Sequence, residues 1–394
     1  MKETANATAT KAEVCEITAG EAAESYRDAH ATHRGVSELP LTEAGTSRLP
    51  DLRNLSWAGS PERGVRGPSE LGATSLSLAQ ALTSPPDATR AFVFPGQGAQ
   101  FVGMGKDLYA QFASARELYD LADGILGFPL SRLCFDGPEE ELQQTRNTQP
   151  AIAVTSLALL RVALEQSPSL RRRPAFVAGH SLGEYSALVA AGALGFEEAI
   201  RLLRTRGELM QAAGEKNPGT MAAVLGLEVA DCLEVCREAG AEVCNVNAPG
   251  QVVIGGRREA VVRALDYAKA RGAAKVIPLS VSGAFHSSLM RPAAEGMVGP
   301  VAGVAIQDPV VPVIANCTGT PIHHDIQIRN ELVDQVCRPV QWSKTVEFLA
   351  EQGVETFIEF GPGRVLSAII KRMVRKSVCI NVNDATSVVV QLGA

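Results

Sequence analysis

The sequence AFVAGHSLGEYSALVAA, residues 175 to 191, is the part of this chain that says most about its fold. It opens with a short apolar run, passes through the pattern G-x-S-x-G at 179 to 183, and continues as a helix-like run from 182 to 191. A serine at such a strand-to-helix turn projects its hydroxyl beside the unpaired amides of the helix N-terminus. Ser181 is therefore the candidate for a covalent nucleophile. Those amides can hold the oxyanion that forms when a serine attacks a thioester or ester carbonyl.

Short apolar runs alternate with amphipathic segments of helix length on both sides of this stretch. The apolar runs lie at 91 to 94, 310 to 315 and 356 to 360, and two of the longer segments lie at 149 to 165 and 196 to 213. Such alternation is typical of a mostly parallel sheet. We therefore predict an α/β fold in which a hydrolase-like, mostly parallel sheet carries helices on both faces.

The segment from 216 to 281 has an order of predicted strands and helices that differs from the rest of the chain. Strand-like and helix-like runs follow one another there as β-α-β-β-α-β, which is the order of a ferredoxin-like unit. We predict that this segment is a small subdomain inserted into a large α/β subdomain, which consists of residues 89 to 215 and 282 to 394. Clefts between domains are common ligand sites, so the serine is expected to face the cleft.

Residues 1 to 88 differ from the rest of the chain in composition. They are rich in Ala, Thr, Ser, Glu and Gly and lack long apolar periodic segments. Such a stretch buries too little surface to offset the entropy of ordering it, so we predict a disordered N-terminal extension. Its acidic residues outnumber its basic ones, which is not typical of an organelle-targeting leader. We expect a soluble, intracellular protein that is cytoplasmic by default, and the extension leaves a plastid or a mitochondrion open.

Composition argues against several classes of function. With 46% hydrophobic residues and a net charge of -6, nothing supports nucleic-acid binding. No apolar stretch approaches the roughly 20 residues that cross a bilayer, so no membrane partner is expected. Cys232 and Cys236 lie one helical turn apart, but no second pair of metal ligands follows them. We expect neither a metal nor a cofactor.

A serine nucleophile needs a base, and the chain contains six histidines. His286 follows the last strand of the predicted small subdomain, where the chain re-enters the large one, and it is the candidate for general base. A histidine that only packs at this junction is the alternative. His180 is expected to be structural, because neighbours on a sharp turn point in different directions. His323 and His324 are expected to lie in a solvated loop.

The residues also offer candidates for orienting the base and for binding a substrate. Acids between Ser181 and His286 fall on predicted helices of the small subdomain, where they are poorly placed to support the base. A backbone carbonyl or a side-chain amide is expected to hold the ring instead, with Asn316 and Gln335 as suitable groups. Arg206 lies on the second helix after the serine, where it could clamp a carboxylate with two parallel hydrogen bonds. A solvated helix arginine is the alternative.

Eight motifs, taken in their order along the chain, resemble the malonyl-CoA:acyl carrier protein transacylase family, which includes the acyltransferase domains of polyketide and fatty acid synthases. The resemblance covers almost everything after the extension. The motifs are FPGQGAQ at 94 to 100, TQPA at 148 to 151, GHSLGEYSA at 179 to 187, RG at 206 to 207, NVNAPGQ at 245 to 251, AFHS at 284 to 287, PVQW at 339 to 342 and FGPG at 360 to 363.

The resemblance implies a two-step acyl transfer without a cofactor. Ser181 would attack the thioester of malonyl-CoA with His286 as base, and the phosphopantetheine thiol of acyl carrier protein would then attack the malonyl ester. The backbone amides of Gln97 and Leu182 would form the oxyanion hole. The family pattern leaves fatty acid and polyketide synthesis open as the pathway. We expect a discrete, monomeric enzyme.

The resemblance also implies roles for the binding residues. Arg206 would bind the free malonyl carboxylate, and Gln149 would line the pocket. The main chain at Gln335, with Asn316 nearby, would orient the imidazole of the base. Phe285, directly before the base, is expected to crowd an α-methyl group, which disfavours methylmalonyl as a substrate.

Acyl carrier proteins are acidic, so a basic docking surface is expected. The candidate is the C-terminal basic cluster, which consists of Arg364, Lys371, Arg372, Arg375 and Lys376. A charged helix turn without this role is the alternative.

Two other functions stay open for the chain as a whole. A serine hydrolase of the α/β-hydrolase kind shares the G-x-S-x-G turn, but the position of Arg206, the inserted unit and the lack of an HGGG-type segment argue against it. A non-catalytic binding module with the same fold is the second alternative. The presence of Ser181, His286 and Arg206 together disfavours that module.

Overall fold

The computed structural model describes residues 78–82 and 84–392. The strands are β1 (Ser84–Phe94), β2 (Arg172–Gly179), β3 (Thr220–Leu225), β4 (Glu242–Ala248), β5 (Gln251–Gly256), β6 (Lys275–Pro278), β7 (Val313–Ile314), β8 (Pro321–Ile322), β9 (Thr356–Phe360) and β10 (Val378–Val382).

The helices of the described residues vary from one turn to six turns. They are α1 (Leu78–Ala81), α2 (Lys106–Gln111), α3 (Ala113–Leu126), α4 (Leu130–Asp136), α5 (Glu139–Leu142), α6 (Thr145–Gln166), α7 (Gly183–Ala190), α8 (Phe196–Lys216), α9 (Val229–Ala239), α10 (Arg258–Ala270), α11 (Arg291–Gly303), α12 (Asp325–Asp334), α13 (Trp342–Glu351), α14 (Val365–Met373) and α15 (Ala385–Leu392). Two short 3-10 turns, Pro168–Arg171 and Ser288–Met290, precede β2 and α11. None of these helices combines the length and the apolar character that a membrane span needs.

The large sheet has the strand order β10-β9-β1-β2-β7-β8, and its strands run parallel except for β8. Successive side chains of a strand point to opposite faces, so β1 shows how both faces are covered. Phe92 and Phe94 join the core formed with α6, α7 and α8, whereas Ala91 and Val93 join the cluster formed with α13 and α14. The predicted α/β fold with helices on both faces is confirmed.

The small sheet has the order β4-β5-β3-β6 with all neighbours antiparallel. Its two helices, α9 and α10, pack against it through a core of Val, Ile, Leu, Ala and Cys side chains. This is the strand order of a ferredoxin-like unit, as the sequence predicts. The limits of the small subdomain at 216 and 281 stay predictions. All four strands of the small sheet lie between these limits, and all six strands of the large sheet lie outside them. The amide of Val246 donates to the Val340 carbonyl at 2.8 Å, which joins the small sheet to the chain before α13.

The predicted limit of the N-terminal extension at residue 88 is wrong, because folded structure begins earlier. Leu78 and Leu82 are buried in the main core, and β1 begins at Ser84. Pro85 and Pro86 lie in the first part of β1, where the pairing with β2 is irregular, and a proline is tolerated where the ladder needs no N–H. The rest of the predicted extension, residues 1–77, lies outside the described residues.

The strand predicted at 310 to 315 is also shorter than expected. It comprises only Val313–Ile314. Pro312 immediately before it has no N–H to donate, although its carbonyl still accepts from the amide of Val177 at 3.0 Å. The chain therefore joins the sheet over two residues only, and Asn316 follows two residues after β7 ends.

Candidate active site

Ser181 lies on a sharp turn between β2 and α7. Its φ of 52° is in the left-handed region, which costs a non-glycine residue on the order of 1 to 3 kcal/mol. Gly179 and Gly183 make the turn possible, since a Cβ on Gly179 would lie 2.0 Å from the Gly183 carbonyl carbon, and one on Gly183 would lie 2.3 Å from the Phe94 carbonyl oxygen. The predicted strand-turn-helix geometry around the serine is therefore present.

His286 completes a buried pair with the serine. Its Nε2 lies 2.8 Å from the Ser181 Oγ, and its Nδ1 lies 2.6 Å from the Gln335 backbone carbonyl oxygen. A carbonyl only accepts, so Nδ1 carries the ring proton and Nε2 is left to accept the proton of the hydroxyl. Burial, and next the charge of Arg206, lower the pKa of His286 to about 3. The imidazole is thus neutral and ready to act as a base.

Arg206 lies beside the same hydroxyl. Although it is an arginine on a helix, its side chain is only 1% exposed, so the solvated alternative is wrong. Nη1 donates to the Gln149 Oε1 at 2.7 Å, and Nη2 donates to the Gln335 Oε1 at 2.7 Å and to the Ser181 Oγ at 3.1 Å. A cation that suits a carboxylate therefore touches the nucleophile directly.

Two backbone amides point to an oxyanion hole. Among the described residues, the N–H groups of Gln97 and Leu182 have no hydrogen-bond acceptor. The loop after β1 packs closely on the serine turn, since a Cβ on Gly96 would lie 2.6 Å from the His180 carbonyl oxygen. Leu182 is the residue directly before α7, whose N-terminus favours negative charge. These groups stay the predicted holders of the oxyanion.

Asn316 supports the serine turn and not the base. Its Oδ1 accepts from the Ser181 amide at 2.7 Å, and its Nδ2 donates to the Gly179 carbonyl at 2.8 Å. It makes no hydrogen bond with His286, so the prediction that it helps to orient the ring is wrong. The side-chain amide reaches both sides of a strained turn, and that is where its hydrogen bonds go. Of Asn316 and Gln335, only Gln335 bonds to the imidazole, through its backbone carbonyl.

Glu184 is a site residue that the sequence reasoning missed. It lies in the first turn of α7 and is fully buried. One carboxylate oxygen accepts from the backbone amide of Asn316 at 3.0 Å, and the other accepts a short hydrogen bond from the Gln335 Nε2. Burial, and next the neighbouring Glu331, raise the pKa of Glu184. An acidic residue within an otherwise apolar buried helix was the signal that could have identified it.

The remaining histidines play other parts. The Nε2 of His180 lies 3.0 Å from the Asn247 Oδ1, and its ring is tilted against that of Trp342 with the centroids 5.8 Å apart, as expected of a structural residue. His323 and His324 are exposed. Within the described ranges, no group of three or more His, Cys, Asp or Glu side chains could hold a metal. Phe285, the residue next to the base, is buried in the main core.

The C-terminal basic cluster is only partly available as a surface. Arg372 is half-buried and donates a short hydrogen bond to Gln251 of the small sheet. Lys371 is exposed, and its Nζ donates to the Ser377 carbonyl at 2.5 Å. Arg375 and Lys376 are exposed. The part of the cluster that a partner could reach without breaking these bonds is therefore centred on Arg375 and Lys376.

Comparisons with known proteins agree on one family. A family model described as an acyl transferase domain matches residues 91–391. The malonyl CoA-acyl carrier protein transacylase of Bacillus subtilis is 44% identical over 76% of this chain and 94% of its own length, and that of Escherichia coli K12 is 44% identical over 77% and 98%. Among solved structures, an acyl carrier protein S-malonyltransferase from Vibrio cholerae is 42% identical over 76% of this chain and 98% of its own, with a TM-score of 0.73. A malonyl-transacylase solved in complex with its type II PKS acyl-carrier protein is 42% identical over 77% of this chain and 99% of its own, with a TM-score of 0.74.

Proposed function

We propose that this chain, which belongs to the acyl transferase domain family, transfers the malonyl group of malonyl-CoA to the phosphopantetheine thiol of an acyl carrier protein. The proposal rests on the groups that surround the Ser181 hydroxyl. The Ser181 Oγ contacts a neutral imidazole on one side and a buried guanidinium on the other. A nucleophile, its base and a cation for a carboxylate thus share one small space.

The first half-reaction loads the serine. As the Oγ attacks the thioester carbon, its proton passes to the Nε2 of His286, and the carbonyl oxygen becomes an oxyanion held by the amides of Gln97 and Leu182. When the tetrahedral intermediate collapses, the carbon–sulfur bond breaks. The leaving CoA thiolate takes the proton from His286, and malonyl-Ser181 remains.

The second half-reaction runs the same chemistry in reverse order. The thiol of the carrier's phosphopantetheine arm gives its proton to His286 as its sulfur attacks the ester carbon. The carbon–oxygen bond to Ser181 then breaks, and the serine recovers the proton from the imidazole. Because Gln335 holds Nδ1 with a carbonyl, the ring keeps the tautomer that both steps need.

Arg206 supplies the preference for a malonyl group. Its guanidinium is buried, so a carboxylate that reaches it gains charge-assisted hydrogen bonds in a dry site. An acetyl group offers no such partner and leaves the cation with the neutral acceptors it already has, the amide oxygens of Gln149 and Gln335 and the Ser181 Oγ. Phe285 is our candidate for disfavouring an α-methyl group.

Intact-mass measurement after exposure to a mixture of malonyl-CoA, methylmalonyl-CoA and acetyl-CoA tests the proposal. The wild-type chain should acquire one malonyl group, and Ser181→Ala should acquire none. Addition of a pantetheine thiol should discharge the adduct onto sulfur. Release of free malonate to water in place of thiol transfer would instead identify a hydrolase. A chain without any adduct would identify a binding module.

Carrier docking at the exposed end of the basic cluster is a separate part of the proposal. The partner's acidic surface would meet Arg375 and Lys376, which are exposed just after α14. Reversing both charges should raise KM for the carrier and spare loading from malonyl-CoA. Arg237→Glu, at an exposed arginine on α9, is the matched control. Unchanged carrier kinetics in the double variant would remove this surface from the proposal.

A further inference from the structure

A single side chain separates the buried carboxylate of Glu184 from the buried guanidinium of Arg206. That side chain is the amide of Gln335, and all three side chains are at most 1% exposed. The Gln335 Oε1 accepts from the Arg206 Nη2 at 2.7 Å, and its Nε2 donates to the Glu184 Oε2. The same Nε2 lies 3.4 Å from the Ser181 carbonyl oxygen. The arrangement places a neutral amide between a guanidinium and a carboxyl group whose two oxygens both accept hydrogen bonds.

The groups on either side set the orientation of the Gln335 amide. In the observed orientation, the amide oxygen faces a cation and the amide nitrogen faces two acceptors, the carboxylate and the Ser181 carbonyl. A rotation of the amide by half a turn would place its oxygen against both acceptors and its NH2 group against the guanidinium. Every one of these contacts would then be repulsive, and in a dry interior such mismatches are costly. Glu184 thereby fixes which atom of Gln335 meets Arg206.

The Gln335 amide also keeps the guanidinium available. A carboxylate in direct contact with an arginine tends to form two parallel hydrogen bonds, which would occupy the edge that a substrate carboxylate needs. Among residues 78–82 and 84–392, the groups that accept from Arg206 are two amide oxygens and the serine hydroxyl. A neutral acceptor is displaced by a carboxylate more readily than an ionised one. Burial lowers the pKa of Arg206, and Tyr185 and then Glu184 oppose that shift, while the Gln335 amide lies between Glu184 and the guanidinium.

We propose that Glu184 is a positioning residue for acyl-group selection: through the Gln335 amide it holds Arg206 in place and open to the carboxylate of the acyl group. This inference rests on the proposed malonyl transfer. It assigns selectivity to a residue that contacts neither the acyl group nor the guanidinium. The other carboxylate oxygen of Glu184 holds the Asn316 amide, so the same residue also braces the serine turn.

The substitution Glu184→Gln tests the inference while it keeps the shape of the side chain. Its oxygen can still accept from the Asn316 amide, which leaves its NH2 group facing Gln335. Gln335 must then turn its oxygen toward residue 184 and its NH2 group toward Arg206. We expect the ratio of kcat/KM for malonyl-CoA over acetyl-CoA to fall by about 10- to 100-fold, the range for one lost hydrogen bond to a charged group, chiefly through KM for malonyl-CoA. Loading from acetyl-CoA should persist.

Glu359→Gln is the matched control. Glu359 is a second fully buried carboxylate, on β9, and its two oxygens accept from the backbone amides of Leu366 and Ser367 at 3.1 and 2.7 Å. Within the described part of the chain it makes no hydrogen bond with Gln335, Glu184 or Arg206, so the substitution should leave the malonyl to acetyl ratio unchanged. An equal loss of selectivity in both variants would show a general effect of buried charge and would overturn the inference.

The double variant Glu184→Gln with Gln335→Glu exchanges the carboxylate and the amide. Positions 184 and 335 together then again carry one carboxyl group and one amide, so the melting temperature should recover toward that of the wild type. The carboxylate now contacts Arg206 directly, and malonyl selectivity should stay lost. Recovery of selectivity together with stability would mean that the position of the charge is irrelevant, and the inference would fail.

Two further results separate this inference from the proposed function. If the wild type loads malonyl and Glu184→Gln keeps the full preference for it, the proposed function stands and the role of Glu184 is wrong. If the wild type itself shows no preference for malonyl, the proposed function falls and takes this inference with it. Gln335→Met, which removes the side-chain amide but retains the backbone carbonyl, provides the same readout if Glu184→Gln does not fold. It should lose selectivity to a similar extent.

Discussion

The large and the small subdomain differ in how they treat polar groups. The core of the small sheet is built from apolar and thiol side chains, and among the described residues of that subdomain the only other buried polar side chain is Asn247, which bonds to His180. The large subdomain buries a glutamate, an arginine and a serine around one turn. Ser181 and His286 are also the only non-glycine residues with a positive φ in the described ranges.

The difference shows that the destabilising features of this fold, buried charged groups and backbone strain, are concentrated in the large subdomain. Burial of apolar surface stabilises both sheets, but burial of a charge or strain at a backbone turn opposes folding unless surrounding contacts offset it. In the large subdomain, the offsetting contacts are the hydrogen bonds of Asn316, Gln335 and Gln149. The small subdomain carries no such network, so it should affect stability without affecting acyl selection.

Replacing the base should have the largest effect. His286→Ala removes the acceptor for the serine proton, so the rate of malonyl loading should fall by about 10²- to 10⁴-fold. Single-turnover measurement of the malonyl adduct gives the rate, and the melting temperature checks the fold. A folded variant that loads at the wild-type rate would contradict the assignment of His286.

Replacing the guanidinium should change preference more than rate. Arg206→Ala removes the partner of the malonyl carboxylate, so the malonyl to acetyl ratio should fall by about 30-fold or more, the effect of losing a buried charge contact. Arg204→Ala is the control, because Arg204 is half-exposed and pairs with Glu208 at 2.6 Å. If both variants kept the malonyl preference, the carboxylate would bind elsewhere.

The pH dependence should be small over a wide interval. A histidine with an ordinary pKa would lose its activity as a base as pH falls through about 6.5. Burial lowers the pKa of His286 to about 3, so the imidazole stays neutral, and malonyl loading should stay nearly level from pH 8 to about pH 5. The free energy of unfolding, in contrast to the activity, should depend on pH. Below about pH 6.5 the unfolded chain binds a proton at this histidine that the native state does not bind, so the fold loses stability as the pH falls. An acid limb of loading near 6.5 would contradict a buried, neutral base.

The smallest effect on catalysis should come from the core of the small sheet. Ile254→Ala removes a fully buried side chain on β5 and should cost about 2 to 5 kcal/mol of unfolding free energy. The malonyl to acetyl ratio should not change in the fraction that stays folded. Chemical denaturation and the loading assay give the two quantities. A shift of the ratio would show that the small subdomain takes part in selection after all, and the contrast between the subdomains would weaken.

Local patterns account for what could be predicted. The apolar strand before Ser181 and the helix after it are contiguous in sequence, so the turn and the exposed hydroxyl follow from short-range sterics. The alternation of strands and helices in the small subdomain is equally local. Glu184 was missed because its partner Gln335 is 151 residues away along the chain, and the role of Asn316 was misjudged for the same reason.

The sequence by itself determined the class of fold, the nucleophile and the family, because strand and helix periodicity and the eight motifs need no knowledge of distant contacts. Only the tertiary structure decided how the site is held together. Gln149 on α6, Arg206 on α8 and Gln335 at the end of α12 meet because the fold brings three helices together beside the serine turn. Hydrogen bonds act over about 3 Å, whereas these residues are separated by tens of positions, so packing alone determines which donor meets which acceptor.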